Sequence, residues 1–157
     1  MEKVLLETLK TRFEDEQRIK ESLENKAANL IAFIAIIVTI YTGFFSSILT
    51  KQTTFWTFFL FWLGIIFYLL SGILSLFALV VRWGSGPLRV SRKLVIEWKK
   101  KTEDELYQIF QTDYLNAVED SSKGNDRKAF FVNSAFVFAI LSVIITVFLL
   151  VAVLLSS

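Results

Sequence analysis

Residues 24–45 read ENKAANLIAFIAIIVTIYTGFF, and within them the chain turns from charged to hydrocarbon-soluble at Lys26-Ala27. No Asp, Glu, Lys or Arg follows until Lys51. An uncharged apolar run of this length exceeds the roughly 18 to 20 residues that a helix needs to cross a bilayer. A related junction recurs at Asp126–Ile140, DRKAFFVNSAFVFAI, where an acidic residue, a variable one and Lys-Ala again precede a long apolar run. Between the two lies a third apolar block, Phe55–Val81, also free of charge. The pattern predicts an all-α membrane protein with three spans, at about 27–49, 55–81 and 129–155.

Composition agrees. Of 157 residues, 54% are hydrophobic, and the mean hydropathy is +0.55, too apolar for an ordinary soluble domain. The polar remainder is short, so the expectation is a single membrane domain over 1–157, not a globular enzyme on an anchor. The chain has no Cys and no His. Disulfides, thiolate nucleophiles and thiolate metal sites are thereby excluded, and so is the commonest general base and metal ligand. No cofactor, metal site or catalytic constellation is expected, and nothing points to a nucleic-acid polymer. Met1–Lys26 is charged throughout and does not resemble a cleaved signal peptide, so the first span is expected to persist.

Outward from the opening stretch, Met1–Asn25 reads as a helix rich in Glu, Lys, Leu and Gln without Gly or Pro. Its apolar stripe is Leu5, Leu6, Leu9, Phe13, Ile19 and Leu23, broken by Arg12 and Glu16. Such a helix suits either the membrane surface or a partner. Nothing between Asn25 and Ala32 interrupts it, so it is predicted to run straight into the first span. TKQTT at 50–54 is a short polar turn. Trp56 and Trp83 bracket the second span, 27 residues apart. At 1.5 Å per residue that is about 40 Å, the bilayer thickness with headgroups, so both suit interfacial anchors. Gly84-Ser85-Gly86-Pro87 ends that helix.

Residues 88–125 are predicted to form a helical segment between spans two and three. LRVSRKLVIEWKKK at 88–101 is basic and amphipathic. Arg89, Arg92, Lys93, Lys99, Lys100 and Lys101 suit lipid phosphates or another phosphate ligand, and Trp98 an apolar surface. Thr102-Glu103-Asp104-Glu105 is a capping box that opens a helix to about Asp120, with a stripe of Leu106/Tyr107, Phe110, Tyr114 and Ala117/Val118. SSKGN at 121–125 reads as a turn, with Asp126 capping the third span.

Of 17 Lys and Arg, six precede the first span, ten lie between spans two and three, and one is Lys51. The positive-inside rule therefore places the N-terminus and 82–128 in the cytoplasm, and Lys51 and the C-terminus outside. Spans one and three then run parallel. Glu24 and Lys26, Asp126 and Lys128 lie at the same interface, where Glu24 can pair with Lys128 and Asp126 with Lys26. Alternatively, both lysines reach the headgroups while Asp126 caps. Small residues at helical spacing, Ala28/Ala32/Ala35, Ser71/Ser75 with Gly72, and Ala135/Ala139, serve close helix approach within the bundle or between copies in a homo-oligomer. Asn133, the most polar side chain well inside a span, suits an interfacial hydrogen bond or a pore lining.

The acidic-x-Lys-Ala start, the short outer turn, Pro87, and Lys-Ala at the last span resemble the Pycsar effector transmembrane family of prokaryotic antiviral defence. More loosely, the layout is similar to SLATT-type membrane effectors. The resemblance covers most of the chain and rests on Glu24, Lys26, Ala27, Pro87, Tyr114 and Lys128-Ala129. Glu24 stands where the family more often has Asp, and the N-terminal helix is relatively long. The resemblance implies a multi-pass protein of the cytoplasmic membrane. A cyclic nucleotide from a partner cyclase would trigger it to impair that membrane and stop the infected host cell. The nucleotide would then meet Arg89, Arg92, Lys93 and Lys99–Lys101 through phosphate, and Trp98, Tyr107 or Tyr114 through base stacking. An accessory membrane subunit that docks a partner through its helices, without ligand or catalysis, is the alternative.

Overall fold

The computed structural model describes residues 2–50, 55–80, 98–99 and 101–155, with side chains described for 4–43, 55–80, 98–99 and 101–152. Among these residues the chain is all-α. Helix α1 is Glu2–Thr50, α2 is Phe55–Val80 and α3 is Glu103–Leu155. Each contains a stretch long and apolar enough to cross a membrane. Trp83, Pro87, Arg89, Arg92, Lys93 and Lys100 lie outside the described residues, as do residues 51–54 of the turn expected at 50–54.

Helix α1 runs unbroken for 49 residues. This follows from the lack of any Gly or Pro before Gly43 and from the good helix formers on either side of Lys26. Helix α3 opens as its sequence predicts. The Thr102 amide donates to Glu105 Oε2 (2.9 Å), and the Glu105 amide faces Thr102 Oγ1 (3.4 Å). Two of the amides that lack partners at a helix start are thus satisfied reciprocally. The bond from the Thr102 amide, and after it the Thr102 side-chain hydroxyl, hold the Glu105 carboxyl below its ordinary range.

The turn expected at Ser121–Asn125 is absent. Helix α3 continues through these residues to Leu155, so Asp126 lies in mid-helix and caps nothing. Gly124 costs a helix about 1 kcal/mol relative to Ala, and Ser and Asn favour turns because they compete for local backbone groups. Here tertiary packing outweighs both effects. Ser121, Gly124 and Asn125 are buried, and the Asn125 amide is committed elsewhere, donating to the Glu16 carbonyl (2.8 Å) and to Glu16 Oε2 (2.7 Å).

The chain divides into two compact units. One comprises Met1–Ser22 and Arg82–Lys128, the other Leu23–Val81 and Ala129–Ser157. In the first unit, the inner face of α1 follows Leu6, Leu9, Phe13, Glu16 and Lys20, all half-buried, whereas Leu5 and Ile19 are exposed. The stripe read from apolar residues alone is therefore shifted: Glu16 does not interrupt it but belongs to it, as the acceptor for Asn125. Phe13 meets Tyr114 edge-on (6.2 Å between ring centroids), and Trp98 meets Phe110 (5.0 Å). Arg18 pairs with Asp15 at the exposed surface (3.9 Å).

The second unit is a three-helix bundle with large apolar side chains outside. Phe58, Trp62, Ile66, Leu69, Ile73 and Phe77 of α2 are exposed, as are Phe33, Ile36 and Ile40 of α1. Such an exterior is suited to lipid and unsuited to water. The interior of α2 is Thr57, Phe61, Gly64, Tyr68, Ser71, Ser75 and Ala78. These buried residues alternate at spacings of four and three, the seven-residue period of left-handed helix packing. In α3 the buried series Val132, Ala135, Ala139 and Ser142 keeps the same period. Leu23, Ala27, Leu30, Ile34 and Tyr41 form the matching face of α1.

Candidate functional site

Inside the bundle, small and hydroxyl-bearing residues occupy positions that a soluble core would give to Leu or Ile. Ser71, Ser75 and Ser142 are fully buried, and Thr57 is 7% exposed. The Ser71 hydroxyl donates across to the Ala135 carbonyl (2.7 Å), tying α2 to α3. Ser142 donates to the Ala139 carbonyl (2.8 Å), and Thr146 to the Ser142 carbonyl (2.7 Å). Tyr68 Oη lies 3.2 Å from Thr146 Oγ1. Such bonds within and between helices are how a membrane interior accommodates hydroxyls, each worth on the order of 0.6 kcal/mol between helices.

Among the described residues, two hydroxyls are left out. Tyr41 Oη and Ser75 Oγ are buried without a hydrogen-bond partner. The Tyr41 ring is fixed by stacking on Phe61 (5.1 Å) and by an edge contact with Tyr68 (5.8 Å). Its hydroxyl points at Gly64, where an added Cβ would collide with it and would also meet Ile145 Cγ2 at 3.5 Å. Thr146, beside it, already donates to Ser142 and faces Tyr68. Gly64 thus makes room for an aromatic hydroxyl in the bundle centre.

The small residues singled out from sequence divide between inside and outside. Ser71, Ser75, Ala135 and Ala139 are buried and line the bundle, whereas Ala28, Ala32 and Ala35 are exposed and Ala27 takes the inner position. Gly72 has nothing within 4 Å of an added Cβ, so the close approach is made at Gly64 instead. Asn133 is exposed. The continuous seven-residue series on α2, with Ser142, Thr146 and Tyr41 facing it, was the missed feature. Counting polar and small residues at that period along 57–78 would have found it.

At the repeated junction, Lys26 and Asp126 are exposed, Glu24 is half-buried, and Lys128 is 2% exposed. The two copies of the motif therefore meet different surroundings, although their sequences match. Lys128 is buried beyond what a headgroup-facing lysine requires. Trp56 is 67% exposed at the start of α2, as a headgroup-level anchor would be.

Of the residues proposed to meet a nucleotide, Lys99 and Lys101 are exposed. Trp98 and Tyr114 engage Phe110 and Phe13 within the first unit, and Tyr107 is half-buried. The nearby depression is lined by Lys101, Glu105, Gln108, Ile109, Thr112 and Asp113. Two carboxylates against one ammonium make it a poor seat for a phosphodiester.

The fold and this interior define an all-α, multi-pass membrane protein without charge in its spans. The family model described as the Pycsar effector protein domain matches residues 14–156. The chain belongs to that family and is a membrane effector of prokaryotic antiviral defence. No curated protein and no solved structure matches the chain significantly.

Proposed function

We propose that this effector resides in the cytoplasmic membrane, is triggered by a cyclic nucleotide and then impairs the membrane, stopping the infected cell. The match over residues 14–156 to the Pycsar effector domain carries this reading. The charge distribution supports an N-terminus and an 82–128 segment in the cytoplasm, where a cyclase product would be met. The basic run 89–101 supplies the phosphate contacts, with Lys99 and Lys101 among them. The effector acts as a homo-oligomer and without catalysis: the work is done by rearranging helices in lipid, and the ligand's differential affinity for two arrangements supplies the driving force.

The test is to express the full chain in bacterial cells and supply cyclic mononucleotides bearing each common base while recording membrane potential. Depolarisation with one of them, absent without it, is the expected result. A potential unchanged by every nucleotide overturns the reading, and a monomer in detergent overturns the homo-oligomer.

A further inference from the structure

We infer that the buried hydroxyl line of the bundle is the water-accessible path of the activated effector. The inference rests on the membrane-impairing reading above and assigns it a location. On α2 the line is Thr57, Tyr68, Ser71 and Ser75, with Phe61 and Gly64 on the same face between Thr57 and Tyr68; on α3 it is Ser142 and Thr146, and on α1 Tyr41, whose hydroxyl reaches in at Gly64.

Three observations carry it. First, the line has the right length. Thr57 to Ser75 is 18 residues of continuous helix, about 27 Å at 1.5 Å per residue, close to the roughly 30 Å of bilayer hydrocarbon. Packing by small residues needs only a local patch; a path must cross. Second, these groups share one face of α2, and the opposite face is wholly apolar: Trp62, Ile66, Leu69, Ile73 and Phe77. A rotation of α2 about its axis, or a parting of the helices, exchanges one surface for the other. Third, the closed arrangement leaves Ser75 Oγ of α2, and Tyr41 Oη reaching in from α1, without partners. Hydroxyls placed only to bind helices together would be satisfied in the closed bundle. An unmet buried hydroxyl is destabilising, and entering water would remove that cost. The line bears no charge in the spans, so it needs no buried ion to be stabilised at rest. Hydroxyls suffice to wet a path once the helices part.

The chain has no Cys, so any introduced cysteine is the sole thiol. Ser71→Cys and Ser142→Cys place a near-isosteric thiol on the line, and Val137→Cys places one on the exposed apolar face of α3. Full-length protein in cells is treated with a charged, membrane-impermeant methanethiosulfonate, with and without the depolarising cyclic nucleotide. A line variant is scored only if it depolarises like the parent; Thr146→Cys replaces one that does not. Labelling of the line positions rising from none to near-complete on activation, with Val137→Cys unlabelled in both states, supports the path. Depolarisation without labelling on the line overturns the path and leaves membrane impairment standing. Equal labelling with and without nucleotide overturns it too, because the line would then be wet at rest. No depolarisation of the parent with any cyclic nucleotide overturns both readings.

Discussion

At the scale of single residues, Tyr41 concentrates the tension between packing and hydrogen bonding. Its ring is held by Phe61 and Tyr68, and its hydroxyl is buried without a partner against Gly64. Removing a group that lacks a partner relieves a desolvation cost and opens only a small void. Tyr41→Phe is therefore expected to leave the closed bundle as stable, or to stabilise it by about 1 kcal/mol. Gly64→Ala forces a Cβ into the hydroxyl and is expected to cost about 1–3 kcal/mol, the usual penalty of overpacking. The two residues touch, so their effects should not add. In the double variant much of the Gly64→Ala cost should disappear. Thermal unfolding in detergent measures all three, and a strictly additive double variant would show that the contact carries no energy. Lys128 illustrates the same scale differently: it shares the Lys-Ala motif with the exposed Lys26 and is itself 2% exposed.

At the scale of elements, α3 shows local signals winning at one end and losing in the middle. The Thr102–Glu105 capping box forms because both partners lie within one turn and nothing competes. Its pH dependence follows from the lowered Glu105 carboxyl. A folded-state pKa below the unfolded value contributes stability above the unfolded value, about 4.3 for Glu. That contribution is lost as pH falls through the lower folded value. Amide exchange at 103–106, corrected for intrinsic rates, should therefore accelerate as pH drops below the carboxylate range. Glu105→Gln should show no such pH-dependent step. An unchanged acid response in the variant would place the titrating group elsewhere. Twenty residues later the turn signal SSKGN is overridden, because Ser121, Gly124 and Asn125 are buried and Asn125 finds its partners at Glu16. That partner is 109 residues away in the chain. No local reading of propensity contains it.

At the scale of the whole molecule, the charge distribution makes a prediction about topology. With six Lys and Arg before the first span, ten between the second and third, and Lys51 alone between the first and second, the bias predicts Lys51 outside. A cysteine introduced at Gln52 should react with an impermeant thiol reagent in intact cells, and one at Lys10 only after permeabilisation. The reverse pattern would invert the topology and remove the cytoplasmic trigger with it. Adding basic residues at 51–54 should weaken or mix the orientation, since the rule counts positive charge near the span ends.

The sequence by itself determined that the chain is all-α, where its three apolar blocks lie, that α1 runs unbroken past Lys26, and where α3 begins. It also carried the family, through the matched Lys-Ala junctions and the layout around them. These properties depend on composition, length and neighbours within a turn or two, and lipid makes hydrocarbon length decisive. Only the tertiary structure decided which face of each span turns inward. Every side of a membrane helix is apolar enough for lipid, so hydrophobicity cannot mark the core. Shape and hydrogen bonding mark it instead, and they placed Ala27 inside and Ala28 outside, Gly64 against Tyr41, and a line of hydroxyls where a soluble protein would have put Leu.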